Sequence, residues 1–287
     1  MSARKRVISV QEQQLLREIL QTAAIAALMD SRRWEPGDIA FQGGTSLHLA
    51  HGSARFSEDL DFMVRGGLTL DNLSKQVLNK LRLPPDISPD LSVSVTTAKE
   101  TRNPHAFYVT LSGPQVLGSA KVKIELWQTP GDALKSLQLK VSTVASPAGQ
   151  AFVPTLTLPE IFADKVYALG ARDRIKPRDV FDLWWLREQG ETGPTIHALQ
   201  TRLRIYPAKT GEVRDTARAW LANAADRLDD LKSAGAATLV AGDLMRWLPS
   251  SWPMNEKVAA EMLQPAIEQL EAGIASMQKS VLDAPAP

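Results

Sequence analysis

Asp59 and Asp61 flank a single leucine in the run Phe56-Ser-Glu-Asp-Leu-Asp-Phe62. In an extended strand, residues two apart point to the same side. The two carboxylates therefore project together while Leu60 turns away into a core. Carboxylates this close repel each other and stay ionised together when a cation sits between them. Hard oxygen donors at this spacing suit Mg²⁺ or Mn²⁺, with substrate phosphates completing the octahedron. Taken alone, the motif equally describes two solvated aspartates on an exposed sheet face. A second motif precedes it: Gly43-Gly44-Thr45-Ser46, with Thr45 fourteen residues before Asp59. Glycines let backbone N–H groups approach a ligand closely, and a hydroxyl with a helix N-terminus can cradle phosphate. An ordinary strand-to-helix turn has the same composition, but the two motifs together are more specific than either.

Further charged residues stand where they invite a role. In Lys121-Val-Lys-Ile-Glu-Leu-Trp127, period two puts Glu125 on the face opposite Val122, Ile124 and Leu126. It is the candidate third metal carboxylate, or a solvent-facing glutamate. Lys165 falls on the apolar stripe marked by Leu158, Ile161, Phe162 and Leu169. A lysine facing inward needs an anion, such as a nucleotide phosphate, or must reach its ammonium out to water. Asp179 and Asp182 are three apart and share a helix face. They could position a base, a metal-bound water or Lys165 itself; otherwise Asp179 answers the helix dipole and Asp182 forms a surface ion pair. Arg172, Arg174, Lys176 and Arg178 form a basic run suited to RNA phosphates or to a solvated loop, which Arg202, Arg204 and Lys209 could extend.

The elements that must position these groups follow from periodicity. Helices are expected at 10–30, 46–51 and 70–82, short strands at 38–41 and 60–64, and period-two strands between 91 and 142. A Ser/Pro/Gly/Thr-rich stretch at 145–157 reads as a linker. Helices follow at 158–171, 177–189, 194–205, 211–231 and 253–279. Thr157-Leu-Pro-Glu160 has capping-box spacing. The fold class is thus α+β: an N-terminal domain over residues 1–150 with a small mixed sheet, and an α-helical domain over 151–287. The 287 residues include no cysteine, which excludes disulfides, zinc–thiolate sites and cysteine nucleophiles. Net charge is only +1, so a nucleic-acid partner must meet a local patch. The longest clean apolar run, Ala23 to Met29, is too short to span a bilayer, and a cytoplasmic protein with no membrane partner is expected.

Gly43-Gly44-Thr45-Ser46, Phe56-Ser57-Glu58-Asp59-Leu60-Asp61-Phe62, Ala163-Asp164-Lys165 and Arg178-Asp179-Val-Phe-Asp182-Leu183 occur in that order. This closely resembles the AbiEii/AbiGii-type toxin family of the DNA polymerase β-like nucleotidyltransferase superfamily, over about residues 38–190. The resemblance implies a nucleotidyltransferase domain whose small mixed sheet is flanked by helices, followed by a helical domain that completes the active site. It implies triphosphate contacts at Gly44 and Thr45, metal at Asp59 and Asp61, nucleotide phosphate at Lys165 and a further catalytic acid at Asp179. Ser57 matches a hydroxyl that in some members is phosphorylated by the antitoxin. Glu125 departs from the aspartate usual in the superfamily. The implied activity is metal-dependent transfer of NMP from an NTP to the 3′ end of RNA, tRNA foremost, with pyrophosphate release and restraint by a cognate antitoxin. Two alternatives stay open: transfer to a protein or small molecule, and a nucleotide-binding interaction protein without turnover.

Overall fold

The computed structural model of the protein describes residues 5–87, 89–98, 103–131, 133–147, 149–207 and 213–282. The chain divides into two compact units. One comprises the residues up to His51 together with Glu58–Thr155; the other comprises Gly52–Ser57 together with the residues from Leu156 on.

The first unit contains β1 (Arg6–Val7), α1 (Val10–Asp30), β2 (Ile39–Gln42), α2 (Gly43–His51), β3 (Leu60–Arg65), α3 (Leu73–Lys80), β4 (Ser92–Thr97), β5 (His105–Ser112), β6 (Val116–Leu117), β7 (Ala120–Thr129), β8 (Leu139–Ser146) and β9 (Gly149–Leu156). Seven strands form one mixed sheet in the order β4-β5-β7-β3-β2-β9-β8, and β1 pairs with β6 alone. β3 runs parallel to β7 and antiparallel to β2. Alternation decides the faces. Leu60, Phe62 and Val64 of β3 join Val122, Ile124 and Leu126 of β7 in a core with Leu20, Ile25 and Leu28 of α1. Phe41 stacks on Phe62 with ring centroids 4.9 Å apart. Burying this apolar surface stabilises the unit and leaves the intervening polar positions of β3 and β7 on the opposite face.

The second unit is helical: α4 (Leu158–Ala171), α5 (Pro177–Glu188), α6 (Ile196–Ile205), α7 (Val213–Lys232), α8 (Ala236–Leu244) and α9 (Glu256–Leu282). Trp220 of α7 lies directly against Gly170 of α4, where a Cβ would fall 2.6 Å from the indole. Its Nε1 donates to the Tyr167 carbonyl at 2.9 Å. Only a glycine permits that approach.

Three expectations need correction. The stretch at 145–157 is no linker: the end of β8 and all of β9 occupy it, with Ala151, Val153, Thr155 and Leu156 buried and Ala145, Gln150 and Phe152 exposed. The helix expected at 46–51 begins at Gly43, so the Gly-Gly-Thr segment is its first turn. Thr157 is the N-cap of α4 but makes no side-chain cap bond, and the Glu160 side chain pairs with Arg202. α8 carries no amphipathic signature strong enough to have been expected. Lys209 and the start of the helix expected at 211 lie outside the described residues. Among the described residues, no helix is long and apolar enough to cross a membrane.

Candidate active site

In the sheet unit, β3 places Asp61 in register with Glu125 of β7 on one side and with Gln42 of β2 on the other. Asp59 immediately precedes the strand, and Leu60 between the two aspartates is fully buried. Both carboxylates are half-buried, and Asp61 takes the sheet face opposite that of Leu60 and Phe62. Gly43 starts α2 with φ of +78°, a conformation that favours glycine, and a Cβ built there would lie 2.6 Å from Asp61 Oδ2. The Asp61 carboxylate thus packs against the first turn of α2, where the helix dipole favours negative charge.

Thr45 and Ser46 are fully buried. The Thr45 hydroxyl donates to the Asp59 carbonyl and so fixes the backbone that carries the first carboxylate. Glu125 is engaged by Lys123, two residues away on the same face. The Lys123 ammonium is held above the usual lysine range, chiefly by its hydrogen bond to Glu125 and against burial, with the charges of Glu125 and Asp59 assisting. Among the described residues, no three His, Asp or Glu side chains are arranged to hold a metal ion together. Asp59 and Asp61 carry oxygen donors of the kind a hard divalent cation takes, and the missing Cβ of Gly43 leaves room for Asp61. Sequence reasoning missed Lys123, although its spacing from Glu125 puts the two on one face.

In the helical unit, Lys165 is 9% exposed. Its Nζ lies 3.0 Å from Asp179 Oδ1 and 2.7 Å from Asp182 Oδ2. Asp182 in turn receives two bonds from Arg55, Nε to Oδ1 at 2.7 Å and Nη2 to Oδ2 at 2.8 Å. Arg172 Nε stands 3.1 Å from Asp179 Oδ2, close enough for an ion pair though not aligned as a hydrogen bond. Burial alone would lower the Lys165 pKa, but Asp182 and Asp179 outweigh it and raise it. Burial would likewise raise Asp179, yet Lys165 and Arg172 hold it down at about 2. Asp182 is lowered by Arg55 and Lys165 against the same burial. The anion that Lys165 requires is thus supplied by the protein, and Asp182, at 0% exposure, is no surface ion pair. Three cations face two carboxylates, so the cluster keeps one positive charge in excess.

Arg55 escaped sequence reasoning because nothing in its neighbourhood marks it as buried. It lies in Gly52–Ser57, the segment that joins the helical unit and runs directly into Glu58 and Asp59. The Phe56 N–H donates to the Trp247 carbonyl at 2.8 Å, which fixes the same segment again. Ser57 is half-buried there. Arg202 is fully buried, bonded to Asp164 at 2.9 Å and Glu160 at 2.7 Å, and so does not extend the basic run. Of that run, Arg172 belongs to the ion cluster, whereas Arg174, Lys176 and Arg178 make no ion pair among the described residues.

The family model described as nucleotidyl transferase AbiEii toxin, type IV TA system, matches residues 27–259. Among solved structures, MenT4, a nucleotidyltransferase toxin from Mycobacterium tuberculosis H37Rv, is similar at 16% identity and a TM-score of 0.56, covering 94% of this chain and 88% of that one. JHP933 from Helicobacter pylori is similar at 19% identity and a TM-score of 0.53, covering 96% and 98%. No curated protein sequence matches the chain.

Proposed function

The chain belongs to the AbiEii nucleotidyltransferase toxin family of type IV toxin–antitoxin systems, and from that premise we propose that it transfers NMP from an NTP to the 3′ end of RNA, tRNA foremost. The observation that carries the reading is the Asp59–Asp61 pair, two half-buried carboxylates flanking the fully buried Leu60, with Asp61 packed against the glycine that opens α2. Asp59 and Asp61 hold Mg²⁺ or Mn²⁺, and Gly43 and Gly44 offer backbone to the triphosphate. When bound, the divalent cation neutralises phosphate charge and lowers the pKa of an attacking hydroxyl.

In the reaction, the acceptor 3′-oxygen bonds to the α-phosphorus, the bond to the β-phosphate breaks, pyrophosphate leaves and the hydroxyl proton passes to solvent. Lys165 contributes the excess positive charge of its cluster to nucleotide phosphate, and Asp179 fixes its ammonium in place. Placement and fixed charge supply most of the rate in such chemistry. Arg172, Arg174, Lys176 and Arg178 contribute positive potential for the RNA. Ser57, two residues along the chain from Asp59, is the site at which an antitoxin would add phosphate, bringing negative charge that opposes triphosphate binding.

The test is a transfer assay with Mg²⁺ or Mn²⁺, total tRNA and each α-³²P-labelled NTP in turn. Label on tRNA with the wild type and none with Asp59→Ala is expected. Label on protein instead, or no transfer with any NTP, overturns the reading.

A further inference from the structure

The helical unit contains a cleft of about 570 Å³ lined by part of the basic run. Its floor is the start of α5, with Lys176, Pro177 and Arg178; Arg174 enters from the preceding loop, and Leu239, Arg246 and Trp247 come from α8 and the turn after it. The volume is that of a site for a small organic group rather than a bare ion.

The charges in the cleft are unequal in their engagement. Its two acids are already taken: Asp230 pairs with Arg227 at 2.7 Å, and Asp243 pairs with Arg246. Arg174, Lys176 and Arg178 have no carboxylate partner among the described residues. Lys176 is held below the usual lysine range by burial and by the positive charges of Arg172, Arg178 and Lys165, with Asp179 acting the other way. Arg178 is fixed rather than mobile, with its guanidinium 4.3 Å over the Trp247 ring. Leu239 is 52% exposed along the same wall. Positive groups spaced along a groove with an indole and an aliphatic wall suit a chain that alternates phosphate with sugar and base.

Arg178 on its floor is followed directly by Asp179 of the Lys165 cluster. Trp247 on its wall also accepts the Phe56 N–H, and that segment leads into Asp59.

We propose that this cleft binds the single-stranded phosphodiester backbone of the acceptor RNA, with Arg174, Lys176, Arg178 and Arg246 as the phosphate-binding groups. The proposal rests on RNA being the acceptor.

The test is binding of a 5′-fluorescein-labelled single-stranded RNA to the full chain, read by anisotropy across a salt series, so that it needs no turnover. The Arg174→Ala/Arg246→Ala double variant is expected to bind roughly tenfold or more weaker, and its salt slope is expected to be shallower by about 0.7 for each phosphate no longer neutralised. Arg174→Lys/Arg246→Lys keeps the charge and is expected to retain most of the affinity; it carries the test if the alanine variant melts early. Equal binding by the wild type and the alanine variant overturns the cleft while leaving the transfer reaction standing. A wild type that binds no RNA and labels only protein overturns both. Displacement of the RNA by poly-glutamate at equal charge concentration overturns the assignment to a nucleic-acid strand.

Discussion

Asp59 and Asp61 are half-buried where β3 begins, while Asp179 and Asp182 are 3% and 0% exposed inside a helical unit. The first pair is positioned by backbone: strand register, the Thr45 hydroxyl on the Asp59 carbonyl and the space beside Gly43. The second pair is positioned by other charges. Buried carboxylates of this kind are tolerable only when cations meet them with good geometry, and removing one partner leaves the other uncompensated. The sheet carboxylates can therefore change with little effect on folding, whereas the helical cluster links function to stability.

Asp61→Asn gives the sharpest break in that contrast. Transfer activity is expected to fall on the order of 10³-fold if the carboxylate is a metal ligand. Stability is expected to shift by less than about 1 kcal/mol, as for other half-exposed polar positions. Urea unfolding followed by tryptophan fluorescence, run beside the α-³²P assay, measures both. A large stability loss would mean that the two regions are not held by different means.

The opposite pattern is expected at Arg55→Ala. Asp182 would keep Lys165 but lose two short bonds from a fully buried guanidinium. Breaking one side of a buried pair costs about 3–5 kcal/mol, readable as a lower urea midpoint. The Arg55→Ala/Asp182→Ala double variant is expected to lose less than the sum of its two single variants, because the second substitution removes the stranded charge.

How legible each region was follows from the same difference. Alternation along Leu60-Asp61-Phe62 and along Val122 to Leu126 is a local property, so the strand faces could be read directly. The inward stripe that exposed Lys165 as anomalous was local too. Its partners were not. Arg55 meets Asp182 across 127 residues of chain, and no periodicity links them. Arg202 reads as one more basic residue in a polar helix, yet it is fully buried against Glu160 and Asp164. The β8–β9 pair was hidden by serines, prolines and glycines that normally punctuate loops, because strand pairing at this sheet edge outweighs local propensity.

Acid should separate the regions by a smaller amount. Asp179 is held at about 2 in the fold against an ordinary 3.8. Its contribution, about 2 kcal/mol, is fully present above pH 3.8 and is lost as the pH falls toward 2. Asp179→Asn is expected to flatten the decline in stability over that window.

The smallest effect is expected within the sheet unit itself. Glu125 shares register with Asp61, yet its carboxylate holds Lys123, whose ammonium also feels the charge of Asp59. A glutamate used in this way orients a cation, and we expect it to contribute less to metal binding than the aspartates. Glu125→Gln should therefore lower transfer by less than about tenfold, roughly 1.4 kcal/mol of barrier, far short of Asp61→Asn. A loss as deep as that of Asp61→Asn would make Glu125 a third ligand and Lys123 its resting counter-ion. Lys123→Ala then decides the point. If Glu125 only holds Lys123, the concentration of Mn²⁺ giving half-maximal activity stays within about twofold. If Glu125 ligates, freeing it shifts that concentration downward, because one more carboxylate then faces the metal.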